Sequence, residues 1–406
     1  MTYRIALSEH LPTLALVALG ASEAAVGLQR TAVHLAVLLQ LPALALVGRV
    51  RKRSILLGGQ LVAIAGGVPL VAFGALAALG PGAAERIALA SFAVAAAGLA
   101  VSETVWFAIL HGFQEPARIG RFFAWLRTGW HVVLIAFFLG AQLWLAEHPG
   151  SFGPLFGLAL AAGLVRAALV ARLPERREGG GGGTPVREAL ALVVREPLLR
   201  RYLAGIALGG AVRGVVFTFT LVMLRRVVGF DEGDVLRTTV ALYAGGLSTL
   251  WLWGRVVDAV GPWPVFRWTS LGQGALVLGL LALREPTPEG LWLAVALCFG
   301  LYALGAGFDV ADTQALFALA PAESPARTLV AARVVELLIR AAIPVAVGLV
   351  LERALAAGLA PLAVYRALFV ACALAISLAS LPLRAFARAG AAGAPARTRD
   401  LTPSGR

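Results

Sequence analysis

Gly98 to Arg118 reads GLAVSETVWFAILHGFQEPAR, and Gly307 to Arg327 reads GFDVADTQALFALAPAESPAR. A shift of 209 positions lays one on the other without a gap. Gly98 then falls on Gly307, Val101 on Val310, Thr104 on Thr313 and Leu110 on Leu319. Pro116-Ala117-Arg118 falls on Pro325-Ala326-Arg327, and an acid meets an acid, Glu103 on Asp312. A period of half the chain implies two similar halves. In a membrane protein, that arrangement points to transport at the interface between repeats.

Composition sets the environment. Of the 406 residues 59% are hydrophobic and 14% charged, against roughly 25% charged in soluble domains. The expected class is therefore all-α and polytopic, because Ala, Leu, Val and Gly dominate and no alternating strand pattern appears. The net charge of +13 would suggest nucleic acid in a soluble chain. Here the arginines cluster in alternate loops, so the charge reads as membrane orientation and not as nucleic-acid binding. Cys298 and Cys372 lie inside apolar runs and offer neither a disulfide framework nor metal-ligand spacing. No metal and no cofactor is expected. The first apolar run lacks a charged leader and a small-residue cleavage site, so no signal peptide is expected.

A helix needs about 20 apolar residues to cross a bilayer. That ruler gives twelve spans, at 9–29, 32–48, 54–79, 84–110, 120–146, 152–172, 202–226, 235–254, 263–283, 289–319, 328–352 and 361–385. One set of loops holds Arg49, Arg51, Lys52, Arg53, Arg118, Arg121, the 172–201 cluster, Arg255 and Arg327. The other set is poor in cations apart from Arg225 and Arg226. The basic set is expected to be cytoplasmic, with both termini inside, in a cell membrane. Residues 1–173 would form one six-helix bundle and 201–388 a second. Between them, 174–200 combines five glycines, Gly179 to Gly183, with a short amphipathic segment. The tail, 389–406, reads as disordered.

Gly254-Arg255-Val256-Val257-Asp258-Ala259-Val260-Gly261 lies between spans eight and nine. With six-plus-six spans, a basic central loop and both ends inside, this G-x-x-x-D-x-x-G stretch resembles the loop signature of the major facilitator superfamily. Gly48-Arg49-Val50 in the first half shares its start but lacks the D-x-x-G. The resemblance implies a transporter with a central cavity lined by the first and seventh spans. It also implies a gate at Gly254, Arg255, Asp258 and Gly261, with Asp258 facing a cation or the N-terminus of the eleventh span. The fifth span carries no glycine-proline motif of the drug–proton antiporter kind.

Ionisable side chains inside spans need a partner or a wet cavity. Glu23 in the first span and Arg213 in the seventh read as matched in depth near mid-membrane. They are the expected pair for a proton and for an anionic substrate group, or else a static interhelical ion pair. A second set, Glu103, Arg127, His131, Asp309, Asp312, Glu336 and Arg340, reads as buried ion pairs or a proton relay, with Arg333 in register. Arg166 reads as snorkelling to the near interface. Trp125, Trp130, Phe217 and Phe219 are candidate cavity aromatics.

The expected function is secondary active transport of a small solute by alternating access, proton-coupled and monomeric. The partners are the substrate and the bilayer. A multidrug or metabolite efflux permease of the same fold is the alternative. An intramembrane transferase using Asp309 and Asp312 is a remote one, since that D-x-x-D stands alone. No phosphate-binding loop for ATP hydrolysis is present.

Overall fold

A computed structural model describes residues 2–47, 49–106, 109, 119–173, 195, 197–319 and 325–384. Among them every regular element is helical and no strand occurs. The first half contains α1 (Thr2–Ser8), α2 (His10–Ala18), α3 (Glu23–Leu35), α4 (Gln40–Leu46), α5 (Lys52–Val71), α6 (Phe73–Ala77), α7 (Pro81–Glu103), α8 (Ile119–Glu147) and α9 (Gly153–Ala171). The second contains α10 (Pro197–Met223), α11 (Glu232–Val260), α12 (Pro262–Gly279), α13 (Pro288–Leu319), α14 (Pro325–Ala356) and α15 (Pro361–Ala379). Among the described residues ten segments are long and apolar enough to cross a membrane. The count of twelve rests on two more, the interrupted α1–α2 and the Thr-, Gly- and Trp-rich α11. The hinge and amphipathic segment expected within 174–194 and the tail from 385 lie outside the described residues.

The start of the chain corrects the sequence reading. The first span is 2–18, not 9–29, and the second begins at Glu23. Gly20 stands at φ 75°, Gly20 N–H donates to Val17 O and Ala21 N–H to Leu16 O. That pairing is a Schellman stop, which glycine permits because it has no Cβ. Ser22 then caps α3 by accepting from the Ala25 N–H at 3.2 Å. The turn is short and apolar, so a hydropathy ruler runs straight through it.

Each half packs within itself, α5 on α7 and α9 in the first, α11 and α12 on α13 in the second. Between the halves the extensive contacts are α3 with α14, α8 with α11 and α2 with α10. They concentrate away from the basic loops. Thr31 Oγ1 donates to Ala341 O at 2.6 Å. A Cβ on Gly27 would run into the Pro344 carbonyl, and one on Gly348 into the Glu23 carbonyl. On α11, a Cβ on Gly233 would sit 2.9 Å from the Ala146 Cβ of α8. Toward the basic loops, Leu35 and Leu39 of the second span and Leu338 and Ile339 of α14 become exposed. The named contacts between the halves therefore gather at the end away from the basic loops, the joined end.

Candidate functional site

The joined end is held by a duplicated turn. Moving Gly20-Ala21-Ser22-Glu23 by 209 positions gives Gly229-Phe230-Asp231-Glu232. Both copies place a glycine at positive φ, 75° and 93°, an N-cap side chain, and a glutamate as the first helical residue. A carboxylate there is favoured by the helix dipole and the free N–H groups. The cations come from one half only. Arg225 and Arg226 lie on a π-helical turn, Leu224–Val228, that ends α10. Arg226 Nη1 is 2.9 Å from Glu23 Oε1, and its Nη2 donates to the Ala21 carbonyl. Tyr365 of α15 donates to the same carboxylate at 3.4 Å. Arg225 is 3.7 Å from Glu232, whose other oxygen accepts the Gly150 N–H of the first half at 2.7 Å. Arg226 thus clasps Glu23 across the interface, while Arg225 pairs with Glu232 inside the second half and Glu232 itself reaches the first half through the Gly150 N–H.

Deeper in, Glu9 occupies the break between α1 and α2, eleven residues before Gly20. At 1.5 Å per residue it lies about 16 Å below the clasp. Its carboxylate accepts the Tyr243 hydroxyl of α11 at 2.8 Å. The Tyr243 ring stacks on Phe138 of α8 at 5.6 Å and meets His10 at 5.6 Å and Tyr302 at 5.7 Å edge-on. Phe217 of α10 closes the aromatic group at 5.8 Å from Tyr302. Beside it, a closed cavity between α2, α10, α11 and α13 has room for about one water. The Thr220 and Thr239 hydroxyls are buried there without a protein partner. Four further charged residues complete the centre. Arg213 Nη1 pairs with Asp309 at 3.1 Å and its guanidinium lies 4.0 Å over the Phe308 ring. Arg340 Nη1 pairs with Glu336 at 2.8 Å, and Nη2 donates to the Gly210 carbonyl of α10 at 3.2 Å.

Glu23 and Arg213, expected at matched depth near mid-membrane to face one cavity or to pair, together do neither. Glu23 begins the second span at the joined end. Arg226, its partner, is thirteen residues beyond Arg213 on the same helical run, about 20 Å away. Arg213 keeps its central place but has a counter-ion, Asp309, whose side chain is 62% exposed. Asp309 and Asp312 share a face but not a task, since Asp312 accepts the Tyr202 hydroxyl. Glu336 and Arg340, expected in a network between helices or a relay, pair with each other within one helix turn, and this pair does not tie α14 to a neighbour by itself.

Glu103 pairs with Arg4 at 3.0 Å. The side chains of Arg127 and Arg333 lie outside the described residues. His131 is buried and stacks on Trp130 at 3.8 Å. Shifted by 209, Arg4 falls on Arg213 and Glu103 on Asp312. Each half therefore joins its first span to its fourth through an arginine–acid pair, with the acid one turn earlier in the second half. Arg166 turns inward instead of snorkelling, donating to the Tyr3 hydroxyl at 3.1 Å and Gln60 at 3.2 Å.

At the basic end, Asp258 receives a long 3.5 Å contact from Gln314 of α13, and Arg255 lies 4.9 Å over Trp251. Gly254 and Asp258 line an open groove with Thr313 and Gln314, and Gly261 takes φ 80° to enter α12. The segment before α14, where a partner for Asp258 was expected, lies outside the described residues. Phe219 is core, Phe217 lines the central cavity, and the Trp125 side chain lies outside the described residues.

Sequence reasoning missed Glu9, Arg226 and the Gly-x-x-Glu repeat. The signal was present, since the 209 shift applied to residue 20 finds it. It needed the turn to be recognised first.

Comparison with known proteins agrees with this architecture. Residues 5–344 match the family model of the Major Facilitator Superfamily. No curated protein sequence matches the chain. Among solved structures the nucleoside transporter NupG superposes with a TM-score of 0.74 at 13% identity, covering 95% of this chain and 96% of that one. A bacterial homologue of the human lysosomal transporter Spinster, inward-facing and occupied, gives 0.66 at 15% identity, covering 95% and 94%. The peptide transporter POT in complex with alafosfalin gives 0.68 at 14%, covering 95% and 92%. At these identities the likeness shows the fold alone. With the family match over most of its length, the chain belongs to the Major Facilitator Superfamily, a multi-pass membrane transporter of a small molecule and not an enzyme.

Proposed function

We propose that the protein is a secondary active transporter that moves a small polar solute by alternating access, with protons as the coupling ion. The observation that carries this reading is the asymmetry of the interface: Glu23 clasped by Arg226 and Glu232 bonded to the Gly150 N–H across the halves at one end, exposed Asp309 at the other. Taking the basic-loop side as cytoplasmic, this is the inward-open state, with both termini in the cytoplasm and the chain in the cell membrane. Opening the other side requires breaking the clasp and closing the helices around Arg213 and Arg340.

Proton coupling passes from Glu23 to Glu9 in this reading. Glu9 joins the halves through Tyr243, near mid-span and half-buried. An ionised carboxylate accepts that hydroxyl as a charge-assisted bond, and protonation weakens it. Proton uptake at Glu9 therefore loosens one tie between the halves. In proteoliposomes, with a substrate found by thermal-shift screening of a metabolite library, Glu9→Gln is expected to lose uphill uptake driven by a pH gradient and to keep counterflow exchange. Uphill uptake at the wild-type rate in Glu9→Gln would remove the proton role.

A further inference from the structure

We infer that Arg30, His34 and Arg340 form an oxyanion subsite, so that the transported solute carries a carboxylate or a phosphate. The inference rests on the transport reading above and adds the chemical class of the solute. Arg30 and His34 are four residues apart on α3 and share a face. Arg340 approaches from α14, where the Thr31 bond to Ala341 holds the two helices together at the same level. His34 lies in the electrostatic reach of both arginines.

The donors of this group are underused. Among the described residues Arg30 donates one hydrogen bond, from Nη1 to the neutral carbonyl of Ser8 at 2.8 Å. A guanidinium has five N–H donors in a planar fork suited to oxyanions. Arg340 has its Nε buried with no partner. Its guanidinium lies so close over Gly210 that a Cβ there would stand 2.8 Å from Cζ. The nearby acids are occupied: Glu9 by Tyr243, Glu336 by Arg340 itself and Asp309 by Arg213. Arg213 is paired with Asp309, whereas the one hydrogen bond of Arg30 goes to a carbonyl, and Glu9, in its electrostatic reach, gives its carboxylate to Tyr243. A guanidinium at membrane depth with spare donors is costly unless a wet cavity or an anion meets it. Arg30, His34 and Arg340 are each partly exposed, which leaves the group open to an incoming solute.

The test uses His34→Cys in the full-length, detergent-purified protein, where buried Cys298 and Cys372 give little background. Its labelling rates are compared for a sulfonate-bearing and a trimethylammonium-bearing methanethiosulfonate. A local potential of a few kT predicts that the anionic reagent reacts roughly tenfold faster. Adding Arg30→Gln should bring the ratio toward parity. Arg30 is chosen because it makes no ion pair whose loss would unfold the protein, and size-exclusion elution checks this. Equal rates, faster cationic labelling, or a ratio indifferent to Arg30→Gln overturn the subsite.

In a second arm, neutral methyl methanethiosulfonate is used with succinate or inorganic phosphate present. Slower labelling with succinate identifies a carboxylate site, and slower labelling with phosphate identifies a phosphate site. Protection by neither at about 10 mM, the weak end of specific affinity, also overturns the proposal. Neither arm needs turnover. Uphill transport by Glu9→Gln would leave the labelling ratio untouched, and parity in labelling would leave the clasp and the proton role standing.

Discussion

Neutralising Glu23 should open the joined end. In Glu23→Gln the 2.9 Å ion pair with Arg226 becomes at best a neutral contact. Charges about 4 Å apart attract by about 4 kcal/mol at an effective dielectric of 20. Part of this is offset by desolvation, since Glu23 is 11% and Arg226 24% exposed at the side chain. Arg226 also keeps its bond to the Ala21 carbonyl, so it is not stranded. A net loss of about 2 kcal/mol is the reasonable figure, within the range measured for close interfacial pairs. The loss applies only to the state in which the clasp is made, so it shifts the equilibrium by roughly 30-fold. An outward-open population of about 1% would rise to about 20%.

Spin labels at His148→Cys and Leu359→Cys, exposed in turns of the two halves at that end, would report this as growth of a longer distance in pulsed electron resonance. Arg226→Gln should match it. The double substitution should add little, because one interaction is removed either way. An unchanged distance distribution, or fully additive single effects, would refute the coupling.

Three other outcomes follow from particular contacts. Gly27→Ala pushes a methyl against the Pro344 carbonyl, costs about 1–3 kcal/mol in this state, and should lengthen the same spin-label distance. Tyr202→Phe removes a buried bond to the Asp312 carboxylate and should lower stability by about 1.5–3 kcal/mol, read as a drop in thermal midpoint. Glu103→Gln, at the pseudo-equivalent acid, faces an Arg4 that is 40% exposed. It should stay within about 1 kcal/mol in the same measurement, so comparable losses in the two variants would show that pseudo-symmetry does not carry the difference in burial.

Hydropathy, arginine distribution and the 209-residue repeat suffice for a helical, duplicated membrane protein with basic loops on one side, because the bilayer demands satisfied backbone and long apolar runs wherever the chain crosses. They also single out Arg213, Asp309, Asp312, Glu336 and Arg340, since charge inside an apolar span stands out in one dimension. Partners are a different matter. Whether Arg213 meets Glu23 or Asp309 depends on which helices adjoin and at what depth, and a turn of a few residues at Gly20 moves Glu23 from mid-membrane to the edge. Glu9 and Arg30 do not stand out in that way, because the hydropathy ruler puts one at the edge of the first span and the other in the loop after it. Their importance appears only when Tyr243, more than two hundred residues away in the chain, lands on one and, among the described residues, the other donates only to a carbonyl. Hydrogen bonds need heavy atoms within about 3 Å, so the identity of each pair is decided by packing across the two halves, which no periodicity along the chain encodes.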